Sequence, residues 1–315
     1  MNTESAASAT RPPALRPGDT VRVVTPSGPP SPGRLGAGLA MLTEWGLDVQ
    51  VPDSVYDRDG YLAGSDGARL AEFNAALADP AVRAVFCGRG GYGVTRIIDE
   101  IDFAAVRRDP KPVVGYSDIT AIQMALYRHA GVASVHGPVL TSFATAESED
   151  GAVVKALRSA LFETGPVVLT PTDYEPTRLL TGGTAPATGP LLGGNLSLVV
   201  DALGTPTHPD YTGSILLLEE INEEPYRVDR ALTQLRRAGV LGAVAGIALG
   251  NFTDCADDWG VDIVDVLAKA LSGLGVPILG GLPVGHGIRQ ETVPYGTRAT
   301  LDAVAGTLTV EGAVG

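Results

Sequence analysis

Through the first half of the chain, short apolar and β-branched runs alternate with longer stretches of helical periodicity. Four of the short runs read as strands: residues 20–25 (TVRVVT), 47–51 (LDVQV), 84–87 (AVFC) and 112–115 (PVVG). The stretches between them read as helices with usable starts. Ser31 and Pro32 open one that stops near Gly46, and Ser65 opens another that stops before Asp79 and Pro80. This alternation predicts an α/β unit with a mostly parallel sheet. Each strand runs into a loop of Gly, Ser, Pro or Asp. In open parallel sheets ligands collect at those carboxyl ends, so PSGP, GRGGYG and GYSD are the candidate site loops.

From about residue 164 to 194 the pattern breaks into Thr, Pro and Gly, the composition of a connection between domains. The expected division is an N-terminal unit over 1–165, a connection over 166–194 and a C-terminal α/β unit over 195–315. The second unit reads as a helix at 195–203, a very apolar strand at 215–218 and an amphipathic helix around 227–237. A strand at 244–250, a helix at 261–274, a strand at 276–279 and a hairpin in ATLDAVAGTLTV complete it.

Composition narrows the function. With 315 residues, 44% of them hydrophobic, the chain buries a sizeable core, most simply in two domains. A net charge of -13 offers no basic footprint, which argues against nucleic acid or an anionic membrane as partner. The polar, Pro-rich N-terminus has no apolar core, and no later stretch reaches about 18 apolar residues. The expectation is a cytoplasmic protein with a loose first dozen residues. Cys87 and Cys255 are far apart and form no CxxC pair, so buried free thiols are expected rather than a disulfide or a zinc site.

Three places could carry chemistry. In VVGYSDITAIQ, Ser117 stands where a strand turns sharply into a helix. A nucleophile needs that placement, with the next amide, that of Asp118, facing a developing oxyanion. The segment equally allows Ser117 or Asp118 to be a plain helix cap. Gly88, Gly90 and Gly93 formally match G-x-G-x-x-G. They follow the third strand rather than the first, however, and lack the usual acid about 20 residues on. The other reading is that Gly90 and Gly91 let the backbone approach a substrate. Finally, the strand at 215–218 delivers Glu219 and Glu220, which alternation sends to opposite faces. One can orient a histidine while the other faces solvent or pairs with an arginine such as Arg227. Of the four histidines, His129 reads as a helix-end charge and His208 as surface. His136, closing the strand in SVHGP, and His286, in the Gly-flanked GLPVGHG, compete as general base, with a slight preference for His286.

Together the segments PGDTVRVVTPSGP, YLAGSD, ALADPAVRAVFCGRGGYGVTRIID, KPVVGYSDITAI, GPLLGGNLSLVVDALGTP, ILLLEEINEEPYRVDRALTQL and PVGHG span nearly the whole chain. In this order they resemble the LD-carboxypeptidase family, which includes murein tetrapeptide LD-carboxypeptidases and microcin-immunity serine peptidases. The resemblance implies a Rossmann-like N-terminal domain carrying the nucleophile and a smaller C-terminal α/β domain carrying acid and base. It places the nucleophile at Ser117, the carboxylate at Glu219, the base at His286 and the oxyanion donors at the Gly91 and Asp118 amides. No metal or organic cofactor is implied, and a homodimer is.

The implied reaction is cleavage between an L-centre of diaminopimelate or lysine and a terminal D-alanine, in small peptides recycled from peptidoglycan. Arg89, Gly90 and Arg227 are candidates for holding the substrate and its free carboxylate. The microcin-type branch cleaves peptidyl-nucleotide amides and needs aromatic stacking partners, whereas this chain is 5% aromatic, with Trp45 and Trp259 its two tryptophans. A nucleotide-dependent enzyme using GRGGYG and a two-domain binding protein are the readings from other classes.

Overall fold

The computed structural model describes residues 8–144, 151–183 and 185–315. The first half runs β1 (Thr20–Val24), α1 (Pro32–Glu44), β2 (Asp48–Gln50), α2 (Asp66–Ala78), β3 (Val82–Cys87), α3 (Phe103–Arg108), β4 (Val113–Gly115), α4 (Thr120–Ala125), β5 (Ser134–His136) and α5 (Ala152–Phe162). The second half adds β6 (Val167–Leu169), β7 (Thr181–Gly182), β8 (Ala187–Asn195), α6 (Leu196–Asp201), β9 (Ile215–Ile221), α7 (Pro225–Arg237), α8 (Val240–Ala243), β10 (Gly246–Thr253), α9 (Ile263–Leu271), β11 (Ile278–Leu279), β12 (Val293–Tyr295), β13 (Arg298–Asp302) and β14 (Thr307–Val310). All four expected N-terminal strands are present, as are the two capped helices. Ser65 caps α2 through its side chain, accepting from the Ala68 amide, whereas Ser31 makes no side-chain cap bond to α1.

Among the described residues, the first sheet has the order β12-β5-β4-β3-β1-β2, with β1 to β5 parallel and β12 antiparallel on β5. Read from β2, the parallel strands follow 2-1-3-4-5, a doubly wound, Rossmann-like arrangement. Strand order reverses between β1 and β3, and such a switch point opens a crevice at the carboxyl ends of the strands. The second sheet, β6-β14-β13-β8-β9-β10-β11-β7, is mixed, with β8, β9, β10 and β11 parallel at its centre.

Residues 166–194 do more than connect. They supply β6 at one edge of the second sheet, β7 at the other and β8 in its middle. The glycines that obscured β8 in the sequence serve close strand approach: a Cβ on Gly189 would stand 1.9 Å from the Gly213 carbonyl oxygen, and one on Gly193 2.1 Å from that of Leu217. At the other end of the chain, Ala9 is buried, Thr10 bridges to Val132 and the Gly315 amide donates to the Pro12 carbonyl. Residues 8–12 are thus fixed on the core rather than loose, while residues 1–7 lie outside the described residues.

One core joins the two sheets. All six residues of α4 are buried, and Ile122, Met124 and Leu126 share a cluster with Leu192, Leu196, Val199, Leu216 and Leu218 of the second unit. Each such fully buried side chain contributes roughly 1.5–3 kcal/mol relative to exposure, so this shared layer holds the β4 loop against the ends of β8 and β9.

Candidate active site

β4 ends at Gly115, where a Cβ would meet the Ile119 side chain at 2.9 Å. Tyr116 is extended, and Ser117 then takes φ +63° before the turn Ser117–Ile119 leads into α4. A left-handed serine costs on the order of 1 kcal/mol and needs support from its surroundings. The support comes from Asp118, whose buried carboxylate accepts from Ser27 Oγ and from the Val94 amide at 3.0 Å. Neither Ser117 nor Asp118 caps the helix through its side chain; the Asp118 carboxylate instead ties the β1, β3 and β4 loops together. Burial pushes the pKa of Asp118 up against these donors.

A second tie comes from Arg69, which lies on the buried stripe of α2 with Phe73, Ala76 and Leu77. Its guanidinium donates to the Pro26 and Gly93 carbonyls. A buried charge on an apolar helix face was the signal in the sequence that this residue organises loops. Between the tied loops, the Gly28 amide donates to the Gly90 carbonyl at 3.1 Å, and a Cβ on Gly90 would stand 3.2 Å from Ser117 Oγ. Gly91, at φ +114°, makes no loop hydrogen bond through its amide among the described residues, and the Asp118 amide directly follows Ser117 in the turn. The glycine run opens no α-helix: it leads into two short turns, Val94–Arg96 and Ile98–Glu100, and α3 starts at Phe103. A dinucleotide site of the ordinary kind needs a helix N-terminus there.

The third element is β9, which runs on through Glu219 and Glu220 to Ile221. The two carboxylates do take opposite faces. Glu219, fully buried, meets His286 Nδ1 through Oε2 at 2.7 Å. The loop bearing His286 passes so near that a Cβ on Gly285, at φ +112°, would stand 2.5 Å from Glu219 Oε2. The Gly287 amide donates to Asn251 Oδ1 at 3.0 Å and anchors the other side of the histidine. Burial opposes a charge on His286, but the Glu219 carboxylate prevails and holds its pKa above the ordinary value. The Tyr116 ring lies 4.6 Å from the imidazole, which brings His286 beside the serine turn. No hydrogen bond joins Ser117 Oγ to the imidazole among the described residues; such bonds often close only with substrate bound.

The remaining candidates separate. His136 does close β5, paired with Gly115 at the carboxyl end of the sheet, but β12 pairs on its other side and the ring is fully buried, with its pKa pushed down to about 4 by that burial. His129 lies in the last turn of the helical stretch Leu126–Ala130 and packs on Phe103 at 4.8 Å, and burial lowers its pKa. His208 is half-buried against Tyr211. Glu220 neither faces solvent nor pairs with Arg227; it accepts from Asn195 Nδ2, from the Ser197 amide and hydroxyl and from its own following amide. Arg227 is exposed, pairs with Glu223 and Glu224, and lines a groove on the Glu220 side of β9, away from His286. Arg89 is brought to the site: it is exposed beside Gly90 and donates to the Pro29 carbonyl at 2.8 Å. Trp45 is buried edge-on to Phe162, and Trp259 is 75% exposed. Both cysteines are free and buried.

Comparison with known proteins identifies the family and the fold. Residues 21–137 match the LD-carboxypeptidase N-terminal domain and residues 188–301 the LD-carboxypeptidase C-terminal domain. The chain belongs to the LD-carboxypeptidase family. It is 42% identical to a putative carboxypeptidase of Streptomyces coelicolor, covering 96% of both chains. To a probable murein peptide carboxypeptidase of Bacillus subtilis it is 37% identical, covering 96% of this chain and 95% of the other. The muramoyltetrapeptide carboxypeptidase of Oxalobacter formigenes superposes with a TM-score of 0.81 at 30% identity, over 93% of this chain and 98% of that one. The microcin C7 self-immunity protein MccF superposes with a TM-score of 0.85 over 96% and 98% at 22% identity, a likeness of fold alone. The two-unit α/β fold expected from the sequence is the fold of these proteins. No helix among the described residues is long and apolar enough to cross a membrane.

Proposed function

We propose that this protein is a serine LD-carboxypeptidase that hydrolyses the bond between an L-centre, diaminopimelate or lysine, and a terminal D-alanine in murein peptides. The observation that carries the residue roles is the 2.7 Å contact between His286 Nδ1 and Glu219 Oε2, set against the Tyr116 ring one residue before a left-handed Ser117. In this reading His286 takes the Ser117 proton as Oγ attacks the scissile carbonyl, and Glu219 orients the imidazole and stabilises its charged form. The Gly91 and Asp118 amides hold the tetrahedral oxyanion, and His286 returns the proton to the departing D-alanine amine. Water, deprotonated by the same histidine, then releases the acyl group. Arg89 holds the terminal carboxylate. Cytoplasmic recycling of wall peptides and a homodimeric state belong to the same reading.

The test is a panel of four substrates offered to the purified enzyme: the tetrapeptide ending in D-alanine, its all-L analogue, its C-terminal amide and a peptidyl-adenylate amide. Release of D-alanine from the first, with little turnover of the second and third, is expected. Preferential cleavage of the adenylate would instead move the protein to the immunity-type reading, with exposed Trp259 the first stacking candidate.

A further inference from the structure

His136 is fully buried, yet its hydrogen-bonding state can be read from its neighbours. Gln123 Nε2 donates to the Gly115 carbonyl at 2.9 Å and to the Val135 carbonyl at 3.1 Å. Turning the amide over would set its oxygen against two carbonyl oxygens, so the orientation is determined and Oε1 faces His136 Nδ1 at 3.0 Å. An amide oxygen only accepts. His136 therefore carries its proton on Nδ1, and Nε2 is a lone pair buried without a partner. Glu219 has the same deficit: Oε2 meets His286, while Oε1 is buried without a partner.

The two groups belong to one environment. A Cβ on Gly194 would stand 3.1 Å from His136 Cε1, and Gly194 and Asn195 of β8 pair directly with Leu218 and Glu219 of β9. The Tyr116 ring touches both imidazoles, at 4.6 Å for His286 and 6.3 Å for His136. Glu219 lies near enough for its charge to act on His136, and two neighbouring buried acceptors are satisfied together by one small group with two protons to give, which is what a water molecule offers.

We propose that His136 is a positioning residue for the His286–Glu219 pair: its Nε2 and Glu219 Oε1 share one water, which donates a proton to each and keeps the carboxylate aimed at His286. Burial, which holds His136 neutral at physiological pH, preserves the lone pair this arrangement needs. His136 touches no reacting atom; it acts through Glu219.

The assignment rests on the Ser117, His286 and Glu219 reading, and two amide substitutions isolate it. In His136→Asn the side-chain amide retains a donor where Nδ1 stands but nothing reaches the Nε2 position; in His136→Gln a polar group reaches it. The expected result is a fall in kcat of about tenfold to a hundredfold for His136→Asn with KM little changed, the size of one lost hydrogen bond to a charged group. His136→Gln should keep most of the activity. The rate of serine labelling by a fluorophosphonate should follow the same order. Undiminished kcat in His136→Asn, or equal losses in both variants, would reduce His136 to a packing role. Wild-type protein offers a check independent of variant folding: histidine ¹⁵N NMR should show His136 neutral, protonated at Nδ1 and hydrogen-bonded at Nε2, and an Nε2–H tautomer overturns the proposal. Ser117→Ala, run alongside, separates the two readings. Turnover surviving there sinks the triad itself, whereas a dead Ser117→Ala beside a fully active His136→Asn sinks only the role of His136.

Discussion

Gly90 stands so close to Ser117 that a Cβ added to it would lie 3.0 Å from the serine Cβ and 3.2 Å from Oγ. In the proposed mechanism a methyl group there occupies the space of the acyl carbon and its oxyanion and displaces the neighbouring Gly91 amide. Gly90→Ala should therefore lower kcat by about 100-fold, the scale of one lost oxyanion donor, while the thermal midpoint stays near that of the wild type. D-alanine release and a circular dichroism melt check the two halves of this prediction.

Ser117→Ala should abolish turnover and leave the protein folded, because only Oγ is removed from a turn fastened by Asp118. Ser117→Gly should be equally inactive yet more stable than Ser117→Ala, by about 1 kcal/mol, since glycine accepts φ +63° without a Cβ clash. Equal stability of the two variants in urea denaturation would show that the turn is unstrained.

His286→Ala should cost several orders of magnitude in kcat/KM and His136→Ala much less. In the proposed mechanism neutral His286 is the base, and the Glu219 carboxylate holds its pKa above the ordinary value against burial, so the acidic limb of the kcat/KM profile should lie above that of a free histidine. In Glu219→Gln burial remains and the opposing charge is gone, so the limb should move to lower pH as kcat drops. A limb that stays in place would detach Glu219 from the base.

Stability should carry a different mark of His136. Its pKa is about 4 in the folded protein against 6.5 for the free side chain. The unfolded chain therefore binds the proton first: the stabilisation is complete above pH 6.5 and is lost as pH falls toward 4, about 3 kcal/mol in all. The stability difference between wild type and His136→Gln, followed by urea denaturation from pH 7.5 to 4.5, should change in that direction; a constant difference contradicts a buried neutral imidazole.

Arg89→Ala should raise KM for the substrate with a free terminal carboxylate and leave the weak turnover of the amide unaltered. Arg227→Ala should change neither, because that residue is occupied with Glu223 and Glu224 on the other side of β9.

The sequence by itself determined the four N-terminal strands with their helices, the loops at the carboxyl ends of those strands and the opposite faces of Glu219 and Glu220. All three follow from local periodicity and turn chemistry, which neighbouring residues write into the chain. It also placed Ser117 at a strand-to-helix turn, though a helix cap read equally well. Only the tertiary structure set His286 against Glu219 and buried His136. β12 lies more than 150 residues beyond β5 in the chain yet closes over His136, while β9 brings Glu219 to His286; no local pattern encodes which distant strand will cover which edge. The same holds for β8, whose glycines read as a connection because their close approach to β9 becomes visible only once the two strands are side by side. Asp118 read as a backbone donor or a helix cap, and Arg69 drew no notice, until folding brought the β1, β3 and β4 loops within reach of one carboxylate and one guanidinium. Burial and hydrogen-bond partners are properties of assembled surfaces, and they set which ionisable groups are available for chemistry.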